Sequence, residues 1–364
     1  MTLLSGLLQE ENMLYKPDIE SIIPRMTAWW KGELLDRACI AVYTGNGKKK
    51  REIRKPATMN EIWTNHEYRI DLVEADMEVT YFAGEAMPIY HPNLGPDLFA
   101  GLMGGRIEYR EETSWVAPFL DWDKPVPFKL NKNSFEWQWF MKMYKLLAER
   151  SKGKYMVSAP DCHSGGDALL AMRGGTNLCM DLYDRPDQVK AAMKKLEKGV
   201  AEFHEGFWKP IEANGQKGHG TSWMHMWSPG RSNVIQLDLL ALISPDMFRE
   251  FFLNELMVQC KALDNTLFHL DGPDAIKHLP ILYEVPMPAI QWVYGAGHGP
   301  MVKWIPLLKE IQKNGKGLNL SCEAKEVETL LKELSSKGLF LATWVDDKQQ
   351  ADDLLKLAAK LTHE

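Results

Sequence analysis

The residues best suited to chemistry stand just behind short apolar runs. His269 and Asp271 close one such run, and alternate residues at a strand end point the same way, so the pair can face one ion. Cys322 stands behind the run at 317–321, two strand ends later in the chain. A nitrogen, an oxygen and a sulfur ligand with a fourth position open is what catalytic zinc requires. The same spacing also suits a hydrogen-bonded core histidine, an Asp-Gly turn before a helix, and a small buried thiol. Asp161 and His163 repeat the alternation on another strand, where they could form a carboxylate-oriented base or a second metal pair, or simply lead into a helix over 168–172. His225 is a third proton-transfer candidate. Trp223, Trp227, Trp292 and Trp344, with Tyr294 and Arg231, are the candidate substrate-binding set, able to stack on a flat ligand or cage a methylated cation. Each Trp taken alone also fits packing at the rim of the fold.

From residue 150 onward, short apolar runs alternate with amphipathic ones, the pattern of βα units around a parallel sheet. Strands are expected over 154–158, 218–224, 266–269, 289–293, 317–321 and 339–343. The clearest helix runs over 186–214, where Val189, Met193, Leu196, Val200, Phe203, Phe207 and Ile211 recur every three or four residues. Another opens at Ser244-Pro245-Asp246, with Ser as N-cap and Pro in the first turn. Further helices are expected over 273–283, 301–314, 325–336 and 348–362. Runs at 38–42 and 79–82 bring the strands to the eight of a (β/α)8 TIM barrel, with residues 1–150 holding an N-terminal elaboration and the first strands of one 1–364 domain. A doubly wound open sheet is the competitor, but no G-x-G-x-x-G follows any strand and no Walker-type phosphate loop occurs. In a barrel the strand C-termini carry the active site. The polar residues collect there: Asp161 to Asp167, His225 to Arg231 with Asp238 further on, His269 to Gly272, the residues beyond Gln291, Cys322-Glu323, and Trp344 to Asp347.

The chain of 364 residues has a net charge of −6, with 45% apolar and 25% charged residues, an ordinary globular composition. Its one basic run, Lys48 to Arg54, reads as a solvated loop, so nothing argues for nucleic acid as partner. There is no apolar stretch of membrane-spanning length, and the first residues lack the basic start and cleavage site of a signal peptide, which points to the cytoplasm and away from a membrane. Five scattered cysteines without a C-x-x-C pair indicate neither a disulfide framework nor a zinc ribbon. Thirteen tryptophans, several beside Gly, Pro, Asp or His, favour an aromatic-lined site.

The segment Ala171-Met172-Arg173-Gly174-Gly175-Thr176-Asn177-Leu178-Cys179-Met180-Asp181-Leu182-Tyr183-Asp184-Arg185-Pro186 resembles one shared across the uroporphyrinogen decarboxylase superfamily, which includes zinc-dependent cobamide methyltransferases. Leu242 to Phe248 resembles the superfamily's helix opening, and Trp29 to Arg37 its early stretch. Phe268 to Gly272 resembles its H-x-C-G element, with Asp271 where the methyltransferases carry a Cys. The resemblance implies a (β/α)8 barrel with its pocket at the strand C-termini. The arginine-rich loop of true uroporphyrinogen decarboxylases is not evident, which leans away from a porphyrin substrate.

Carried over residue by residue, the methyltransferase zinc set falls on His269, Asp271 and Cys322. A carboxylate in place of one thiolate makes the ion a harder Lewis acid, suited to an oxygen or nitrogen leaving group. The resemblance thus implies a methyltransferase that moves a methyl group from a small donor, a methoxylated aromatic or a methylated amine, to a corrinoid carried by a partner protein, with zinc as cofactor and Asp161, His163 or His225 handling the proton. Homodimer formation is left open. Two other readings remain: a metal-free decarboxylase or lyase holding a carboxylate with Arg173 or Arg231, and a barrel that binds a ligand without catalysis.

Overall fold

The computed structural model describes residues 13–125 and 128–364. Seven strands form one sheet in the order Thr80–Gly84, Cys39–Gly45, Leu339–Trp344, Gly317–Ser321, Ala289–Val293, Asn265–Asp271, Ser232–Gln236. Every neighbouring pair is parallel except Thr80–Gly84 against Cys39–Gly45, which is antiparallel. Six parallel strands with helical connections are the architecture expected of the alternating pattern. A short parallel pair, Ile89–Tyr90 with Met156–Val157, lies apart from this sheet, and a single parallel bridge joins Ser158 to Gly220. Among the described residues the ladder does not run as a closed ring of eight.

Register places the polar side chains. His269 is opposite Gln236 on one side and Gln291 on the other, and Gln291 is opposite Asn319. Residues in register share a face, so these four form a row across neighbouring strands, and Asp238, Asp271 and Ser321 follow two positions on. The alternate residues Ile235, Phe268, Leu270, Ile290, Trp292, Leu318 and Leu320 are buried in the apolar layer.

The helices match their patterns. Pro186–Glu212 opens on a proline in its first turn and buries all seven of its periodic apolar residues. Each such side chain contributes roughly 1.5–3 kcal/mol of burial. Ser244 accepts a hydrogen bond from the Met247 amide at 3.3 Å, and the helix it caps runs through a π turn at Phe248–Phe252 into Leu253–Ala262. The connections expected over 273–283 and 301–314 each begin with a 3-10 turn, Pro273–His278 and Met301–Trp304.

One strand expectation needs correction. Of residues 218–224 only His219–Thr221 is a strand, paired antiparallel with Met226–Ser228, and Ser222–Met224 is a 3-10 turn. The parallel strand is Ser232–Gln236, which hydropathy passes over because Ser232, Asn233 and Gln236 are polar yet buried. Asn233 Nδ2 donates to the Pro160 carbonyl at 2.9 Å, and Gln236 Nε2 to Asp161 at 2.8 Å. Hydrogen bonds across the interior offset their desolvation.

Candidate functional site

One cleft lies at the C-terminal ends of Ser232–Gln236 and Asn265–Asp271, lined among others by His91, Asp161, His163, Trp223, Asp238 and His269. The position is the one that a parallel α/β architecture makes available, because the strand C-termini open outward there.

One wall is built on Ser232–Gln236 and Asn265–Asp271. Ligand atoms of Asp238, His269 and Asp271 lie within 4.8 Å of one another. His269 Nδ1 is 2.5 Å from Gln291 Oε1, an oxygen that only accepts, so the tautomer this contact selects has its proton on Nδ1 and its lone pair on Nε2. The Trp223 ring stands edge-on to His269, with centroids 4.9 Å apart.

The adjoining wall is the loop behind Met156–Val157, hydrogen-bonded to the first through Gln236 and Asp238. Asp161 Oδ1 accepts from Gln236 Nε2 and from the Cys162 amide, both at 2.8 Å, while Oδ2 lies 3.1 Å from His163 Nε2. Asp167 Oδ2 lies 3.8 Å from His163 Nδ1, and the Asp167 carboxylate accepts the Asp238 and Leu239 amides at 2.9 and 3.0 Å. Burial disfavours charge on His163, but Asp161 and then Asp167 and Asp238 outweigh it and raise the imidazole to about 10. Asp161 is held below the ordinary carboxylate range despite its burial, chiefly by His163. Burial and the neighbouring Asp238 push Asp167 up to about 7. His91, with Nδ1 3.3 Å from the Ala159 carbonyl, and His225 are both lowered to about 4 by burial, so both rings are neutral at pH 7.

His163, Asp167 and Asp238 form a second group whose ligand atoms lie within 4.8 Å of one another. Its imidazole is a poor ligand, since both nitrogens face carboxylates and the ring holds its proton. His269 has what His163 lacks, a lone pair directed away from its hydrogen-bond partner. The donor set that fits a divalent ion is therefore Asp238, His269 and Asp271, one imidazole and two carboxylates.

Cys322 does not join that set: no group of three candidate ligands within 4.8 Å includes it among the described residues. It follows Ser321, so alternation turns it from the face of Asn319 and Ser321, and its thiol packs against the apolar core. Burial, then Glu326 and Glu323, push the thiol up to about 12. Arg231 precedes Ser232–Gln236, at the end of that strand away from the cleft, where it pairs with Glu212 at 2.7 Å and Glu205 at 3.0 Å. Trp227 is buried and donates to the Lys217 carbonyl at 3.0 Å. Trp292 is fully buried on the opposite face of its strand from Gln291, against Trp304 at 4.9 Å. Tyr294 is half-buried, its ring packed where a Cβ on Gly299 would sit. Trp344 is 65% exposed and stacks on Tyr43 at 4.5 Å. Arg173 is held by Asp181 at 2.5 Å.

His91, Asn93 and Gln236 enter the cleft without having been singled out from sequence. His91 follows a strand of only two residues between Pro88 and Pro92, too short for any periodicity to show.

The cleft and the parallel sheet define a fold whose relatives lie among known structures. A methyltransferase from Methanosarcina mazei matches with a TM-score of 0.60 and 13% identity, over 96% of this chain and 99% of that one. A B12-independent methionine synthase from Shewanella sp. W3-18-1 matches with a TM-score of 0.41 and 14% identity, over 71% of this chain and 73% of that one. No protein-family model and no curated protein matches the sequence. The resemblance read from the sequence motifs holds at the level of the fold. No helix among the described residues is long and apolar enough to cross a membrane.

Proposed function

We propose that the chain is a zinc-dependent methyltransferase that moves a methyl group from a small donor, a methoxylated aromatic or a methylated amine, to a corrinoid carried by a partner protein, on a barrel completed by the short pair Ile89–Tyr90 and Met156–Val157. The observation that carries this reading is the pairing, across one cleft, of a hard donor set with a protonated imidazole: Asp238, His269 and Asp271 face His163. When bound, zinc would draw electron density from the oxygen or nitrogen that the methyl group leaves. His163 Nδ1, beyond hydrogen-bond reach of Asp167 at 3.8 Å, is the proton source for that departing atom, and Asp161 orients the ring through Nε2 at 3.1 Å. Gln291 holds the His269 tautomer, and Gln236 holds Asp161. The Trp223 indole gives the donor an apolar wall. A thiolate-free set suits an oxygen or nitrogen leaving group better than thiol activation. The fold's likeness to a methyltransferase agrees with this reading. The metal-free lyase reading loses both its carboxylate binders, since Arg173 and Arg231 are committed to ion pairs outside the cleft.

The test is zinc content by elemental analysis of wild type and of Asp238→Asn, His269→Ala, Asp271→Ala and Cys322→Ala, followed by methyl transfer to Co(I) cobalamin. About one zinc per chain is expected, lost in the first three variants and kept in the fourth. Wild type that takes up no zinc when it is supplied, or carbon dioxide release that survives strong chelation, overturns the proposal.

A further inference from the structure

The charge inventory of the cleft narrows the donor. No lysine or arginine lines it among the described residues. His163, in the lining, is already paired, with Asp161 at 3.1 Å and Asp167 beyond at 3.8 Å. Asp238 in the lining and Asp271 beside it add two carboxylates, which a divalent ion would neutralise without leaving a surplus. His91, also in the lining, is lowered to about 4 by burial. Arg69 acts on His91 from behind the wall, but its guanidinium donates to the Asn93 carbonyl at 3.3 Å and lies over the Trp63 ring at 5.3 Å. With the donor's oxygen or nitrogen at the metal's open position, a carboxylate elsewhere on the donor would lie beside Asp161 and Asp238 with no lysine or arginine among the described lining residues to pair with it. A neutral or cationic group meets the opposite situation, with the Trp223 indole and the Asp238 carboxylate in the same cleft.

We infer that the cleft selects a methyl donor that bears no carboxylate, its methyl-bearing end neutral or cationic and packed against Trp223. This rests on the cleft being the donor site of the proposed methyltransferase, and it excludes methoxylated aromatic acids from the classes considered above. Three probes of similar ring size separate the cases by isothermal titration calorimetry on the full chain: phenyltrimethylammonium, methoxybenzene and 4-methoxybenzoate. Each is titrated into zinc-supplied and chelator-treated protein.

The anionic probe is expected to bind at least about tenfold more weakly than the other two in the chelator-treated protein, where no metal can take its carboxylate. Asn93→Lys, which places a cation in the cleft, should raise 4-methoxybenzoate affinity and lower that of phenyltrimethylammonium. A gain of binding cannot come from misfolding. Equal or tighter binding of 4-methoxybenzoate to chelator-treated wild type, or binding of none of the three probes, overturns the inference. Because the ranking is read from binding and zinc is measured separately on the same samples, selectivity can fail while zinc binds, and can hold where zinc uptake fails.

Discussion

Replacing Gln291 by leucine tests the argument at a residue that touches neither donor nor metal. Gln291 is 6% exposed, sits opposite His269 in the parallel ladder, and its Oε1 accepts from His269 Nδ1 at 2.5 Å. Leucine keeps much of the volume and removes the acceptor. The imidazole is then free to move its proton to Nε2, where a metal ligand needs a lone pair. Loss of such an outer partner costs roughly 10–100-fold in metal affinity. That corresponds to about 1.4–2.7 kcal/mol. The metal-free protein also loses a bond to a partly buried ring, worth about 1 kcal/mol of stability. The assay is competition for zinc against a chromophoric chelator, with urea unfolding of the metal-free protein beside it. Gln291→Glu, which still offers an accepting oxygen, should return zinc affinity to within a few-fold of wild type, an outcome that packing alone would not produce. Wild type that binds zinc together with a Gln291→Leu variant within twofold of its affinity would refute the reasoning.

Cys322→Ser should leave zinc stoichiometry unchanged, because alternation turns Cys322 from the donor set, and loss of the metal in this variant would put the thiol back among the ligands. His204 is 2% exposed and burial lowers it from 6.5 to about 4. An unfolded chain takes up a proton on this ring below pH 6.5 that the fold refuses, so its contribution is intact above about 6.5 and falls by up to about 1.4 kcal/mol per pH unit towards 4. His204→Phe should flatten the pH dependence of urea unfolding between pH 6.5 and 4.5, and an unchanged slope would count against the burial argument. Gly165 has φ of +51° and a Cβ there would lie 1.8 Å from the Glu255 carboxyl carbon, in a buried network where Ser164 Oγ and the Gly166 amide donate to Glu255. Gly165→Ala should therefore cost about 2–4 kcal/mol in chemical denaturation, from strain and overpacking together, and a loss below about 1 kcal/mol would show that the network yields easily.

Parts of the site were legible because strand alternation is a local rule. His269 and Asp271 stand two apart at a strand end, whereas Asp161 and His163, expected on a strand, lie in the loop beyond Met156–Val157; the cleft holds or borders all four. Trp223 was legible as one of several tryptophans but not distinguishable from Trp227 or Trp292, since all three carry the same indole and only position decides whether it lines a cleft or fills a core. Arg231 was misplaced for one reason: the strand was expected before it, and Ser232–Gln236 follows it.

Composition, the 3.6-residue period of the helices and the alternation of the later strands determined a parallel α/β fold with polar residues gathered at the strand C-termini, because these patterns express short-range geometry and burial. Tertiary structure alone decided which of those residues meet. Asp238 completes the set around His269 and Asp271, while Cys322, one residue beyond the face that would have brought it in, turns to the apolar layer. It also decided that His163 is an imidazolium and His91 and His225 are neutral, since a histidine's charge depends on which carboxylates and how much protein surround it. Contacts between residues on different strands carry no sequence period, so folding the chain is what brings them to view.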